Sequence, residues 1–464
     1  MTAIDTDYLI VGAGAAGLAF ADALIADSDA DVVIVDRRDR PGGHWNDAYP
    51  FVRLHQPSAY YGVNSLPLGD SIDQDGPNAG WYGRATGAEI CDYFQQVLEQ
   101  LLDSGRVRFF GECDYSGDWS SEHRLVSRLT GESSTVRVRR RVVDATYLSP
   151  AVPSTHTPSF AVDPNVRLIP INDLVALSEP GSGYTVLGAG KTAMDACSWL
   201  LDSGVDPATI RWIRPRDTWL LDRAFTQPLE LVGSLMDGVS LSLEAAACAE
   251  NVADLFRRLE ACGQLVRIEE AVEPTMYRCA TISQTELESL RLIENVVRLG
   301  RVTHIGEARI ALEAGSIPTD ETQIYVDCTA DGARTAPPRA IFDPNRITLQ
   351  PVRTCLPSFN AALVAFVESA RDDDAEKNRL CPPNPYPSTA LDWIATSAIS
   401  QRAEVAWLDE PDLVAWLNGA RLNPARAISD HLTEPMMQSA FARYAAHRDP
   451  AIERLDSFLR VEAP

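Results

Sequence analysis

Long apolar runs are missing from this sequence of 464 residues: no segment approaches the roughly 20 consecutive apolar positions that a membrane-crossing helix needs. Met1 to Asp7 offers no basic stretch followed by an apolar one, so no secretion signal is read there and a cytoplasmic location is expected. Positive charge is also scarce. Lys and Arg number 41 against 65 Asp and Glu, a formal net charge of −24, and such a surface repels phosphate backbones and anionic lipid alike. Nucleic acid and membrane are therefore not expected partners, whereas a small molecule is. The nine cysteines, scattered from Cys91 to Cys381, contain no Cys-x-x-Cys pair. That spacing suggests neither a zinc ribbon nor a redox dithiol, predicts no metal site, and leaves most of the cysteines as small buried hydrophobes.

With 45% hydrophobic and 23% charged residues, the composition is that of an ordinary folded chain. Its length exceeds what one compact core organises, so two or three domains are expected. The first informative segment runs Tyr8-Leu-Ile-Val-Gly12-Ala-Gly14-Ala-Ala-Gly17-Leu, continues as an Ala-rich helix to Ala26, and ends in Val32-Val-Ile-Val-Asp36. This is strand, tight turn, helix, strand. Gly12 permits the turn, Gly14 lets a pyrophosphate approach the backbone, and Gly17 lets helix and strand pack closely. Asp36, with Arg37 beside it, stands where ribose hydroxyls are read.

A second copy follows at Tyr184-Thr-Val-Leu-Gly188-Ala-Gly190-Lys191-Thr192-Ala193-Met-Asp, with its second strand at Ile210-Arg-Trp-Ile-Arg214-Pro-Arg216. Aligned with the first, it places Arg214 where Asp36 stood. A carboxylate there repels a 2′-phosphate and a guanidinium pairs with it, so Arg214, supported by Arg216, predicts NADPH rather than NADH. Two unlike units imply two dinucleotides facing each other across a cleft. The fold class expected is α/β, with two Rossmann-like dinucleotide-binding domains, a helical insertion at about 220–300 and a helical C-terminal region. The expected domains are 1–165 with 325–390, then 166–324, then 391–464.

Within the insertion, Val252, Leu255, Leu259 and Cys262 form one helical face. Ser283 and Glu286 make a capping box ahead of Leu287, Leu290, Ile293 and Val297. Short strands are expected near 301–305, 308–312 and 323–326, as a meander returning the chain to the first sheet. A helix is expected from Ala361 to Ala370, its N-terminal dipole end suited to negative charge. From Thr389 to Leu459 several amphipathic helices are expected, with Trp393, Trp407 and Trp416 in their core and a homodimer interface among their possible uses.

Arg40-Pro-Gly42-Gly43-His44-Trp45 resembles the Gly-Gly-x-Trp loop of flavin-containing monooxygenases and their Baeyer–Villiger relatives, the class B flavoprotein monooxygenases. The stretch Tyr49-Pro-Phe-Val-Arg53-Leu-His55-Gln56-Pro-Ser58-Ala-Tyr60-Tyr61 is similar to the segment that passes the isoalloxazine in that family, with Gln56 at the position of its flavin-facing Asn. Tyr325-Val-Asp-Cys-Thr329-Ala-Asp331-Gly332 resembles the family's return to the FAD domain.

The resemblance implies FAD at Gly12, Gly14, Gly17, Asp36, Arg37, Gly43, His44, Trp45, Gln56 and Thr329. It implies NADPH at Gly188, Gly190, Lys191, Thr192, Arg214 and Arg216. Gln56 is the one catalytic candidate, and Ser58, Tyr60 and Tyr61 are its expected neighbours at the flavin. The activity implied is oxygenation of a nitrogen, sulfur or ketone with O2 through a C4a-peroxyflavin. The family's Phe-x-Gly-x-x-x-His signature is absent from Asp163 to Asp173, and His156 lies too early to replace it. An NADPH-dependent flavin reductase or dehydrogenase without oxygen insertion therefore stands as the alternative, and a non-catalytic FAD-binding interaction module as a third reading.

Overall fold

The computed structural model describes residues 3–462; expectations touching Met1, Thr2 and the last two positions of the C-terminal region lie outside them. The first sheet is built on the strand Ala3–Val11. Val32–Val35 pairs with it in parallel on one side and Ser133–Asp144 on the other. Val107–Phe110 and Arg346–Thr348 extend the parallel run outward. The second sheet is parallel throughout, ordered Val296–Val297, Ile210–Ile213, Tyr184–Leu187, Ile324–Asp327, Arg167–Pro170. Each sheet thus carries its Gly-rich turn on an inner strand, and the connection runs through a helix to the neighbouring strand. That is the doubly wound arrangement expected of α/β nucleotide folds.

The repeat extends to individual hydrogen bonds. Gly12 N–H donates to Val35 O at 2.8 Å and Gly188 N–H to Ile213 O at 3.0 Å; Ala145 N–H reaches Val11 O and Cys328 N–H reaches Leu187 O, both at 3.0 Å. Central strands buried on both faces explain the apolar runs Tyr8–Val11 and Val32–Val35.

Several boundaries differ from expectation. Ile324–Asp327 joins the second sheet, and the chain regains the first only at Phe342–Asp343 and Arg346–Thr348. The meander strands Val302–Ile305, Arg309–Leu312 and Gly315–Pro318 form their own sheet with Ala161–Val162. The insertion is mixed rather than helical. It holds a three-stranded sheet of Leu265–Val266, Thr218–Asp222 and Met276–Ile282 beside the helices Val232–Cys248, Val252–Ala261 and Gln284–Leu290. The Ser283–Glu286 capping box is present, but Val297 lies on a strand paired with Ile213 instead of on the helix.

One stretch, Leu229–Cys248, meets the length and hydropathy of a membrane-crossing helix, contrary to the reading of apolar runs. Glu230, Asp237 and Glu244 interrupt it as a run without lowering its mean hydropathy enough. In the fold this helix lies along the C-terminal helix Pro435–Glu462, sharing a core of Val232, Met236, Met437 and Ala440. Trp393 and Trp407 are buried, and Trp416 stacks on Phe366 with centroids 5.1 Å apart.

Gly17 tests the helix–strand packing directly. A Cβ there would stand 2.0 Å from Gly12 O, a backbone atom that cannot swing aside. Gly17→Ala should destabilise the chain by about 1–3 kcal/mol, the usual cost of overpacking. An unchanged urea midpoint would contradict this packing.

Candidate functional site

The two units open on one shared cavity of about 1570 Å³ at the C-terminal ends of their strands. The helix Ala15–Asp27 starts from Gly14 and the helix Lys191–Asp202 from Gly190; neither start is capped by a side chain or has an acidic residue in its first turn. Unsatisfied N–H groups and the positive dipole end therefore face the cavity twice, which fits two pyrophosphates.

In the first unit Gly12, Gly14, Asp36, Arg37, Gly43, His44 and Trp45 line the cavity. Gly17 lies beneath it, in the helix–strand contact. Asp36 is 8% exposed and accepts Ala13 N–H at 2.7 Å and Arg38 N–H at 2.8 Å, so it ties the Gly-rich turn to the strand end. Lone pairs remain on both oxygens for ribose hydroxyls. Gly42 and Gly43 adopt φ of 108° and 58°, and a Cβ on Gly43 would stand 3.1 Å from Gly14 Cα; the paired glycines let this loop cross the turn. Trp45 Nε1 donates to Tyr61 OH at 2.8 Å, fixing two aromatic rings of the wall.

Gln56, Tyr60 and Tyr61 line the cavity, and the Gln56 amide has no hydrogen-bond partner among the described residues. Ser58 does not face it. Its buried Oγ accepts Ala85 N–H at 2.8 Å, so the hydroxyl expected beside a flavin holds the loop instead. Thr329 lines the cavity, donates to Asp327 Oδ1 at 2.6 Å and lies 3.3 Å from His156 Nε2. The helix expected from Ala361 begins at Pro357; its uncapped first turn brings Leu356, Pro357, Asn360 and Ala361 to the cavity. Proline suits this first position because it has no N–H to leave unsatisfied.

In the second unit Gly188, Gly190, Lys191 and Thr192 line the cavity. Lys191 is ion-paired with Asp195, which also accepts Tyr49 OH at 2.6 Å. Arg214 is a correction. Although it follows its strand as Asp36 does, it is 2% exposed, lies over the Trp212 ring at 4.7 Å and pairs with Asp217 at 2.7 Å. It lines a separate cavity of about 260 Å³ together with Glu269, Glu270 and Arg291, away from the shared one. Arg216 is the one on the shared cavity, together with Arg278 and Arg301. Partial burial and the charges of Arg301 and Arg278 lower its pKa, with Asp331 and Glu313 opposing.

Arg278, Arg301 and His55 were not singled out from the sequence, and His156, weighed there only as a replacement for the missing signature histidine, also lines the cavity. His55 adjoins Gln56 and could have been found there, but Arg278 on the strand Met276–Ile282 and Arg301 just before the strand Val302–Ile305 lie far along the chain with no spacing to announce them. One pair departs from the expectation that most cysteines are small buried hydrophobes: Cys279 and Cys355, 76 residues apart, form a disulfide and both line the cavity. Spacing rules detect only neighbours.

This is the architecture of paired Rossmann-like units meeting on one cavity, and residues 10–66 match the model of an NAD(P)-binding Rossmann-like domain. The chain is 49% identical over 423 residues, 90% of its length, to the uncharacterized protein Rv2000 of Mycobacterium tuberculosis and to the uncharacterized protein Mb2023 of Mycobacterium bovis, covering 78% of each. It belongs to their family. Solved structures with a similar layout include a flavin-containing monooxygenase from Stenotrophomonas maltophilia (16% identity, 79% of this chain and 98% of that one, TM-score 0.47). Another is a mutant cyclohexanone monooxygenase from Rhodococcus sp. Phi1 bound to NADP+ (13% identity, 81% and 87%, TM-score 0.47).

Two cavity histidines are held neutral. Burial, reinforced by Arg38 against Asp47, lowers His44 to about 4. Burial, then Lys191, with Arg223 and Arg84 adding and Asp195 opposing, lowers His55 to about 3. In the unfolded chain both titrate near 6.5, so unfolding takes up protons below that pH. Their contribution is complete above about pH 6.5 and declines as pH falls toward the folded values. The urea midpoint should be lower at about pH 5 than at about pH 7, and His55→Gln should shrink the difference. Equal midpoints would mean that both rings are solvated.

Proposed function

We propose that this chain is a FAD-dependent, NADPH-using oxidoreductase that oxygenates a small organic substrate with O2. The observation that carries the reading is the pair of uncapped helix starts on one cavity, with a carboxylate, Asp36, at one and the free Arg216 near the other. Gly12, Gly14 and Asp36 would hold the FAD pyrophosphate and ribose, and the helix start at Pro357 would face the end of the flavin where negative charge collects. Gly188, Gly190 and Thr192 would hold the NADPH pyrophosphate, with Arg216 and Arg301 on the 2′-phosphate. When bound, FAD supplies a hydride acceptor whose reduced form reacts with O2.

The remaining work falls to the chain itself. Trp45, Tyr49, Tyr60 and Tyr61 wall the cavity with aromatic surface that excludes water. Gln56 offers an amide free to donate and accept, and the neutral His55 ring adds no positive charge beside it. His156 and Thr329 set a hydrogen-bonding pair on the opposite strand end. The second reading, hydride transfer without oxygen insertion, is favoured by Asp163 to Asp173. That segment forms the strand Arg167–Pro170 and the turn Ile171–Ala176 and brings neither the expected Gly nor His.

Anaerobic mixing with NADPH should bleach the flavin absorbance, and O2 should restore it with one oxygen atom recovered in a product when substrate is present. Absence of bleaching would overturn both readings, and stoichiometric peroxide with no oxygenated product for any nitrogen, sulfur or ketone compound would leave the second. Arg216→Ala should weaken NADPH binding about 10- to 100-fold while sparing NADH, the worth of charge-assisted bonds to phosphate. Arg214→Ala should leave the NADPH preference in place; the reverse pattern would return the 2′-phosphate to Arg214.

A further inference from the structure

Cys279 lies on the strand Met276–Ile282 of the insertion, and Cys355 on the loop entering the helix Pro357–Ala370. Their disulfide, with Cα atoms 6.2 Å apart, therefore clasps the insertion to the helix start of the first nucleotide unit, and both residues line the cavity. Two arginines flank the pair. Arg278 precedes Cys279 and leaves its buried Nε without a partner, Arg353, paired with Glu404 at 2.9 Å, stands two residues before Cys355, and both arginines line the cavity. Cys355 also immediately precedes the uncapped first turn at Leu356. Cations and a helix N-terminus stabilise thiolate. Cys197, Cys328 and Cys381 contrast with it, since burial pushes those thiols up. Both paired cysteines hold left-handed φ, 57° and 64°, a conformation that non-glycine residues adopt rarely and that clusters at working sites.

We propose that Cys279–Cys355 is a thiol–disulfide exchange site opening on the cavity, with a low-molecular-weight thiol as its reaction partner. The partner's thiolate attacks the Cys279 sulfur, the S–S bond breaks, and Cys355 leaves as the thiolate that its surroundings stabilise. A second partner thiol attacks the mixed disulfide, releasing Cys279 and one partner disulfide. The partner thiols lose two electrons and two protons, and the cysteine pair gains both. Reduction unfastens the clasp and leaves a thiolate at the helix start, whichever cofactor fills the cavity.

The full chain, purified without reductant, alkylated in denaturant and digested, should yield a peptide linked through Cys279 and Cys355. Folded protein treated with dithiothreitol and then N-ethylmaleimide should gain labels on these two cysteines ahead of Cys197, Cys328 and Cys381. The pH midpoint for alkylation of Cys355 should lie below the about 8.5 of an ordinary thiol. No linked peptide, a linked pair that stays unlabelled in the folded protein, or a midpoint at or above that value would each overturn the proposal.

Discussion

A fully buried guanidinium, that of Arg223, organises the wall of the cavity. It is 0% exposed, and an uncompensated charge in such a place would cost several kcal/mol. Its partners come from separate segments: Glu286 at 2.7 Å, Asn78 Oδ1 at 2.7 Å, and more distantly the carbonyls of His55 and Thr281 at 3.4 Å. Satisfying one charge therefore draws the insertion against the loops that carry His55 and Gln56. Burial works against ionisation of Glu286, but Arg223, Lys191 and Arg84 together hold its carboxyl at about 2. The residue that caps a helix start thus also anchors the ion cluster, linking local structure to the shape of the site.

The C-terminal region belongs to the same construction. Arg421 is buried and donates to the carbonyls of Ala59 at 2.9 Å and Tyr61 at 2.7 Å, and to that of Val63, fastening the loop that presents Tyr60 and Tyr61. The helix Ala390–Trp407 contributes Trp393, Ile394 and Ala398 to the core of the insertion and Ala403 and Trp407 to that of the first nucleotide unit. It ties the insertion to the first nucleotide unit. Amphipathic periodicity announces such helices, but it cannot say which cores they join.

Legibility was highest where a local rule and a tertiary need coincide. Gly12, Gly14, Gly188 and Gly190 face the cavity because a phosphate-binding turn requires that backbone wherever it occurs. The starts of the helices Pro411–Gly419 and Pro435–Glu462 follow from Pro after an acidic residue. Arg214 and Ser58 were misread for one reason: each occupies the aligned position, but its side chain found a closer partner. Asp217 with the Trp212 ring holds the first, and the Ala85 amide holds the second.

By itself, the sequence determined that this chain has two Gly-rich strand–turn–helix units, unlike in charge at their second strand ends, because that pattern is written in residues close along the chain. Only the tertiary structure decided that Arg216, Arg278 and Arg301 gather on one cavity, that Cys279 meets Cys355, and that Arg223 binds the loops together. Those pairings join residues far apart in the chain, and their partners are selected by burial and charge compensation after the sheets have formed, which spacing along a sequence does not encode.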